Sequence, residues 1–219
     1  MEPSVSGVGV LDKAVALLGA LEAGSATLNE LVAEANLSRA TAHRLAVALE
    51  AHGLVRRDED GRFVLGLRLI QLGRAAADAM PLATAAQGAL AALRDATGES
   101  VQLYVRDDDR RVCIAALESP HGLRTIVPMG ASLPLAVGSA GRVLLGTESA
   151  QNRRPWVESV GEREAGVASV SAPVRDSTGE VVAAVSVSGP IERTTRQPGS
   201  KYGAAVVAAA SRIESDAAL

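Results

Sequence analysis

The chain has 219 residues, a formal net charge of −3 and an apolar content of 47%. This length allows one or two domains with a full hydrophobic core, and the weak negative charge excludes indiscriminate binding to nucleic acid or anionic membrane. A single cysteine, Cys113, excludes an internal disulfide framework and a cysteine-based zinc site.

The N-terminal residues lack the charged-then-apolar pattern of a secretory signal, and no window approaches about 18 uncharged apolar residues. We therefore expect a cytoplasmic protein with no membrane partner.

Helical patterns dominate the first third of the chain. Residues 9–22 are predicted to form a first helix, whose expected core face is Val10, Leu11, Ala14, Val15, Leu18 and Leu21. Thr27 and Glu30 form a capping box that predicts the start of a second helix. A turn of only about three residues then leads to Ser38, the spacing of a helix-turn-helix.

A third helix is predicted to begin after Ser38, a favourable N-cap, and to end before Gly53. Leu45, Leu49, Ala42 and Ala46 share one side of it, while Arg39, His43 and Arg44 lie on the other. One side can pack and the other can contact a partner.

The next residues predict a hairpin. Residues 54–57 and 62–65 are short apolar and basic runs, and Asp60 and Gly61 between them suit the positive φ angles of a tight turn. Helix, turn, helix and hairpin together make a winged helix. The candidate contacts to double-stranded operator DNA are Ser38, Arg39, Thr41, His43, Arg44, Arg56 and Arg62.

Two other interpretations stay open for this region. Short amphipathic helices also occur in ordinary helical bundles, and a winged helix can bind protein instead of DNA. Acidic residues slightly outnumber basic ones over residues 1–74, so any DNA footprint must be local.

Residues 67–81 carry more apolar side chains than one small domain can bury. We expect a linker helix that packs against its twin in a homodimer and is ended by Pro81. The predicted organisation is a DNA-binding domain over 1–66, this linker over 67–81 and a second domain over 82–219.

The second half alternates helices and strands. Helices are predicted over 82–97, from the glycine-rich loop at 130–141 to Leu145, and over about 201–215; strands are predicted over 100–106, 111–117, 124–128, 167–175 and 181–188. These elements make an α+β domain.

Several motifs together resemble IclR-type bacterial transcription regulators. They are GVLDKA at 9–14, LSRATAHRL at 37–45, GLVRR at 53–57, GRFVLG at 61–66, ESP at 118–120, the loop at 130–141, APVR at 172–175 and VAAVSVSGP at 182–190. The resemblance implies a winged helix-turn-helix domain, a dimerising linker helix and a GAF-like α/β effector-binding domain that senses a small metabolite. Residues 161–173 are similar to a subgroup that controls amino-acid biosynthesis, particularly of leucine.

The same resemblance implies an effector site between the glycine-rich loop and the paired strands. The backbone N–H groups of Ser139 and Ala140 would bind a ligand carboxylate, and the hydroxyls of Ser186 and Ser188 would share one face. Further implied contacts are Leu133 and Leu135 as an apolar wall, Ser169 where relatives often carry Cys, and Ser159 where Asp is common. The alternative is that these serines are small residues packed in the sheet, with hydroxyls bonded to backbone.

Enzymatic function is the competing class. The second half offers only His121 as a base, with no acid at a suitable spacing, and no metal-ligand or phosphate-binding motif is present. We therefore expect a regulator without catalysis or cofactor, assembled as a dimer or tetramer.

Tyr104 is assigned either to the pocket or to the core, and Trp156 to packing. The resemblance implies a considerably longer segment between Gly146 and Trp156, so either this protein has a deletion there or the sequence omits a segment.

Overall fold

The first unit of the chain, Met1–Ala79, contains the predicted helix-turn-helix and hairpin. The computed structural model describes residues 6–146 and 154–219. The elements of the first unit are α1 Gly9–Ala20, α2 Leu28–Glu34, α3 Arg39–Ala51, β1 Val55–Arg57, β2 Phe63–Leu65 and α4 Leu67–Asp78.

Side-chain caps fix the starts of α2 and α3. Thr27 Oγ1 accepts a hydrogen bond from the Glu30 N–H at 3.3 Å, and Glu30 Oε2 accepts one from the Thr27 N–H at 2.6 Å, so the capping box is confirmed. Ser38 Oγ accepts from the Thr41 N–H at 3.3 Å. Because each cap satisfies a free N–H of the first turn, both helices begin where the sequence predicts.

The hairpin is antiparallel, with Val55 opposite Leu65. Its turn differs from the prediction, since only Gly61 has a positive φ, at 75°. Asp58 stabilises the turn by accepting from the N–H of Arg62 at 2.8 Å. Just after β2, a Cβ at Gly66 would lie 2.0 Å from the Gly53 carbonyl oxygen, so the chain needs glycine there.

Leu17, Leu31, Ala46 and Phe63 lie in the core of the first unit. The predicted core face of α1 is partly wrong, because Val10, Leu11 and Val15 are 63%, 52% and 58% exposed. Helical spacing identifies an apolar stripe but not what covers it. Leu17, which the pattern did not select, is fully buried instead.

The second unit, Met80–Leu219, is built around one antiparallel sheet. Its helices are α5 Pro81–Thr97, α6 Ser139–Leu145, α7 Ile191–Thr194 and α8 Pro198–Asp216. Its strands are β3 Ser100–Asp107, β4 Arg110–Leu117, β5 Ser132–Pro134, β6 Val157–Val160, β7 Val167–Arg175 and β8 Val181–Pro190. Within the described residues the sheet order is β5-β4-β3-β8-β7-β6. The architecture is the mixed α+β type that the sequence predicts.

The two faces of this sheet differ in chemistry. One packs against α5 and α8 through Leu90, Val185 and Ile213. Alternation along the strands turns Gln102 of β3 and Ser186 of β8 to the opposite face, on which α6 packs. A polar surface is thereby enclosed beside α6.

Two predicted details of the second unit are wrong, and one strand was missed. Residues 124–128 form no strand, and the Thr125 carbonyl accepts a hydrogen bond from a side chain, Ser100 Oγ at 2.6 Å, instead of from a neighbouring strand; the edge strand is β5. Strand β6 was not predicted. Pro81 begins α5, where a missing N–H costs nothing, and does not end the preceding helix.

Trp156 packs against α8 at two glycines. A Cβ at Gly199 would lie 2.3 Å from the indole Nε1, and one at Gly203 would lie 2.7 Å from ring carbons. The packing role predicted for Trp156 is therefore confirmed.

The short segment before Trp156 falls on residues 147–153, which lie outside the described residues. Among the described residues, the helices are too short or too polar to cross a membrane.

Candidate DNA-binding surface and effector cavity

The outward side of α3 presents most of the predicted DNA contacts. His43 and Arg44 are exposed, and Thr41 is half-buried beside them. Arg39 is also exposed, but its Nη1 donates to Asn29 Oδ1 of α2, which holds the guanidinium against the preceding helix. Ser38 serves as the N-cap and is exposed. Arg44 and His43 are thus the side chains best placed to contact a partner.

An open groove runs along α1 and α3 in the first unit. Its lining residues are Val10, Lys13, Thr41, Arg44 and Leu45. Two of these are cations, so the groove adds local positive charge that the overall composition of the unit lacks.

The three arginines of the wing have different surroundings. Arg56 is exposed on β1. Arg57 lies over the Phe63 ring, with its Cζ 4.2 Å from the ring centroid, and pairs with Glu50 at 3.5 Å. Both of these contacts stabilise the wing itself.

Arg62 joins the wing to α2. Its Nη2 donates to Glu30 Oε2 at 2.8 Å and to the Ser25 carbonyl at 3.1 Å. The Thr27 backbone N–H, more than Arg62, lowers the pKa of Glu30. Arg62, whose side chain is 33% exposed, is therefore held by contacts within the first unit, whereas Arg56 is exposed.

A cavity in the second unit collects most of the predicted effector contacts. It opens to solvent and offers about 30 Å³ of free volume. Six of the predicted residues line it: Ser139, Ala140, Ser159, Ser169, Ser186 and Ser188. The other lining residues are Gln102, Tyr104, Arg111, Gly138, Arg163, Glu164 and Val167.

Serine hydroxyls form a connected network along this cavity. Ser139 Oγ lies 2.7 Å from Ser169 Oγ and 2.8 Å from Ser171 Oγ, and Ser171 Oγ donates to Ser186 Oγ at 2.9 Å. Ser188 Oγ donates to Gln102 Oε1 at 3.1 Å. These hydroxyls bond to other side chains rather than to backbone, and such a network can exchange one of its bonds for a ligand.

Leu133 and Leu135, predicted as an apolar wall, do not line the cavity. Leu135 is buried in the cluster that contains Cys113 and Val143, and Leu133 packs against the same cluster from β5. Tyr104 belongs to that cluster and also lines the cavity, so both assignments open for it apply.

The Glu162 carboxylate lies at the N-terminal end of α6. Its Oε2 accepts from the Gly138 N–H at 3.1 Å, and its Oε1 accepts from Arg142 Nη1 at 2.6 Å. Partial burial acts to raise the pKa of Glu162, but the hydrogen bonds from Arg142 and Gly138 outweigh it and hold the pKa below its usual range. The protein's own Glu162 carboxylate therefore binds the N–H of Gly138, next to the predicted donors Ser139 and Ala140.

Arg111 is one of the lining residues that motif-based reasoning missed. It is 3% exposed, and its Nη1 donates to the carbonyls of Pro134 and Val137. A signal was present in the sequence: Arg110 and Arg111 are adjacent on a strand, so one of the two must face inward. Burial lowers the pKa of Arg111.

A metal centre is not indicated in the part of the chain that the structure describes, since no group of three or more His, Cys, Asp or Glu side chains is suitably placed. The arrangement consists of a basic helix face in one unit and a polar cavity in the other.

Two family models match the chain. The IclR helix-turn-helix domain matches residues 10–59, and the bacterial transcriptional regulator IclR C-terminal domain matches residues 74–160 and 150–215. The transcriptional repressor IclR of Escherichia coli K12 is 27% identical over 225 residues, which cover 87% of this chain and 82% of the repressor.

Solved structures show the same fold. An IclR transcriptional regulator from Alicyclobacillus acidocaldarius superposes with a TM-score of 0.81 at 22% identity, covering 96% of this chain and 99% of that one. An IclR homologue from Microbacterium hydrocarbonoxydans, solved in complex with 4-hydroxybenzoate, superposes with a TM-score of 0.77 at 22% identity, covering 95% and 98%. The chain belongs to the IclR family and is a DNA-binding transcriptional regulator, not an enzyme.

Proposed function

We propose that this regulator binds a pseudo-palindromic operator as a homodimer, and that a small metabolite in the cavity of the second unit changes its affinity for DNA. The observation that carries the DNA half of the proposal is the outward side of α3. Arg44 and His43 are exposed there, and neither has a carboxylate partner among the described residues. Guanidinium and imidazole groups in this position can reach base edges and phosphates.

Exposed apolar side chains of α4 support the dimer. Leu67, Ile70 and Leu72 are 65%, 68% and 51% exposed, and no residue of α4 is buried in the described structure. A second copy of α4 would cover part of this apolar surface. Two copies would then present two α3 helices to half-sites about one DNA turn, roughly 34–36 Å, apart.

The cavity supports the sensing half. It is lined by hydroxyl, amide and guanidinium groups, which are the kinds of polar group that orient a small molecule in its site. The Microbacterium relative binds 4-hydroxybenzoate. From the similarity over residues 161–173, we propose an amino acid or a leucine-pathway intermediate as the effector. Such a ligand changes DNA affinity only to the extent that it binds one arrangement of the dimer more tightly.

Fluorescence anisotropy with DNA from upstream of the protein's own gene tests the proposal. We expect tight binding that weakens steeply with salt, no comparable binding to scrambled DNA, and at least a tenfold loss in Arg44→Ala. Arg106→Ala is the matched control, because Arg106 is an exposed arginine of the second unit. Equal, weak binding to both DNAs would contradict the proposal and favour a protein partner for the winged helix.

Sedimentation velocity tests the dimer. Ile70→Ser should shift the protein toward monomer and weaken operator binding with it, because the half-sites would then be bound independently. A dimer that persists unchanged in this variant would place the interface elsewhere.

A further inference from the structure

Two neighbouring residues of α2, Asn29 and Glu30, each hold the guanidinium group of a different element. Asn29 Oδ1 accepts a hydrogen bond from Nη1 of Arg39, the first residue of α3. Glu30 Oε2 accepts one from Nη2 of Arg62 on the wing, at 2.8 Å. The same short helix therefore orients both arginines, but one acceptor is a neutral amide and the other is a carboxylate.

This difference decides which arginine keeps its charge for a partner. The Glu30 carboxylate balances the charge of Arg62, and the Ser25 hydroxyl accepts a hydrogen bond from its Nε at 3.1 Å. Within the described residues, Arg39 forms no ion pair and uses neither Nε nor Nη2 in a hydrogen bond. Because Arg39 is also exposed, it offers an intact positive charge and a free pair of parallel donors.

The residue that holds Arg39 lies on a well-fixed turn. The capping box between Thr27 and Glu30 fixes the first turn of α2, and Arg62 ties Glu30 to the wing. A side chain that is held in one orientation before binding loses less conformational entropy when it binds. Asn29 can therefore prepare Arg39 for a partner without neutralising it.

Arg39 lies at the end of α3 that reads bases in a helix-turn-helix. The N-terminal residues of the second helix contact base edges in the major groove, and two arginine N–H groups match O6 and N7 of guanine. Ser38 Oγ donates to Thr41 Oγ1 at 2.9 Å, so a second side chain of this turn is also held in place. The first turn of α3 is thus ordered before DNA is present.

We infer that Asn29 is a positioning residue for operator recognition, which holds Arg39 so that its Nε and Nη2 read one guanine in each half-site. The inference rests on the proposed function, because it takes α3 as the helix that enters the DNA. Asn29 acts through Arg39 and does not itself contact the DNA.

Selection of binding sites from random DNA duplexes tests the inference. The wild type should select a guanine at one position of each half-site, and Arg39→Ala should accept any base there. Asn29→Ala should relax the same position alone, because an unheld Arg39 loses entropy only when it binds guanine. It should also bind the selected site about three- to tenfold more weakly, with an unchanged salt slope. Gln87→Ala, which removes an exposed amide from α5 in the second unit, is the matched control and should behave like the wild type.

Two further variants separate holding Arg39 from contacting DNA. Asn29→Asp keeps the acceptor and adds a negative charge, so it should keep the preference for guanine while its affinity for every sequence falls. In an Arg39→Ala background, Asn29→Ala should cause no further loss of affinity. A second loss in that background would show that Asn29 contacts DNA directly, and would overturn the inference.

Nuclear magnetic resonance relaxation of the Arg39 Nε–H tests the positioning role without DNA. The side chain should be ordered in the wild type and in Asn29→Asp, and mobile in Asn29→Ala. Equal order in wild type and Asn29→Ala would overturn the inference.

The selection also distinguishes this inference from the proposed function. A wild type that selects no sequence would remove the proposed function, and the inference with it. A wild type that selects a palindromic site whose guanine preference survives in Asn29→Ala would remove the inference alone.

Discussion

Arg193 donates two parallel hydrogen bonds to Glu99, from Nε to Oε1 at 2.8 Å and from Nη2 to Oε2 at 2.9 Å. The Glu99 side chain is 2% exposed and that of Arg193 is 28% exposed. The pair joins the residue before β3 to α7, which follows β8, and so fastens two neighbouring strands at one end of the sheet. Hydrogen bonding to Glu99 raises the pKa of Arg193.

We predict that Glu99→Gln lowers the free energy of unfolding of the second unit by about 2–3 kcal/mol, less than a fully buried pair because Arg193 is partly hydrated. Urea denaturation measures the change. Glu118→Gln is the control: Glu118 pairs with Arg124 at 2.6 Å but is 51% exposed, so its loss should stay within about 0.5 kcal/mol. Equal effects of the two variants would contradict a special role for the Glu99 pair.

Two adjacent wing arginines should separate DNA contact from stability. Arg56→Ala is expected to reduce the salt dependence of operator binding by about one unit of slope and to leave unfolding unchanged. Arg57→Ala should instead lower the free energy of unfolding of the first unit by about 1 kcal/mol, because it removes the contacts with Phe63 and Glu50. Anisotropy over a salt series measures the first effect, and unfolding followed by circular dichroism measures the second. A reduced salt dependence in Arg57→Ala, with lower stability in Arg56→Ala, would show that Arg57 is the DNA contact.

The paired serines of β8 should be needed for sensing and not for DNA binding. Ser186→Ala combined with Ser188→Ala removes one hydroxyl bonded to Ser171 and one bonded to Gln102. We expect operator affinity without ligand to stay unchanged, and the shift in affinity that the metabolite effector causes in the wild type to disappear. Ser177→Ala, in an exposed turn, is the control. A normal ligand response in the double variant would place the effector elsewhere.

Cys113 should make stability depend on alkaline pH. Burial raises the pKa of its thiol to about 11, whereas an unfolded chain ionises it near 8.5. The folded state therefore holds the proton more tightly, so its contribution to stability is complete below about pH 8.5 and is lost as the pH rises toward 11.

Wild type should accordingly lose about 3 kcal/mol more than Cys113→Ala between pH 8 and pH 11. Urea denaturation of both proteins at each pH measures this difference, in which the titration of all other groups cancels. Parallel losses in the two proteins would show that the thiol is not protected.

The sequence predicts the features of the fold that depend on residues close together in the chain. It does not predict the features that depend on contacts between distant residues. Local signals were sufficient for the capping box at Thr27, the N-cap at Ser38 and the end of α5 at Gly98, where φ is 70°. The exposure of Val10 on α1 was not predictable, since a pattern does not say what covers an apolar stripe. Strand β5 depends on distant pairing with β4, which alternation alone does not reveal.

The same limit applies to the cavity, where motifs place some of the lining residues and distant packing places the others. Six predicted residues meet there, because motif resemblance places serines on the correct strands and loop. Leu135 does not line the cavity and Arg111 was not predicted to, since their positions depend on how β4 packs against the loop before α6. The Arg110-Arg111 doublet is the one sequence feature that could have indicated an inward-facing cation.

Because Trp156 packs against α8, its fluorescence reports the unfolding of the second unit separately from that of the first. Trp156 is the only tryptophan, both tyrosines also belong to the second unit, and the only aromatic residue of the first unit is Phe63. Indole emission therefore follows the unfolding of the second unit alone, whereas far-ultraviolet circular dichroism follows the helices of both. The gap between the two denaturation curves measures how independently the DNA-binding unit unfolds, without any label on the protein.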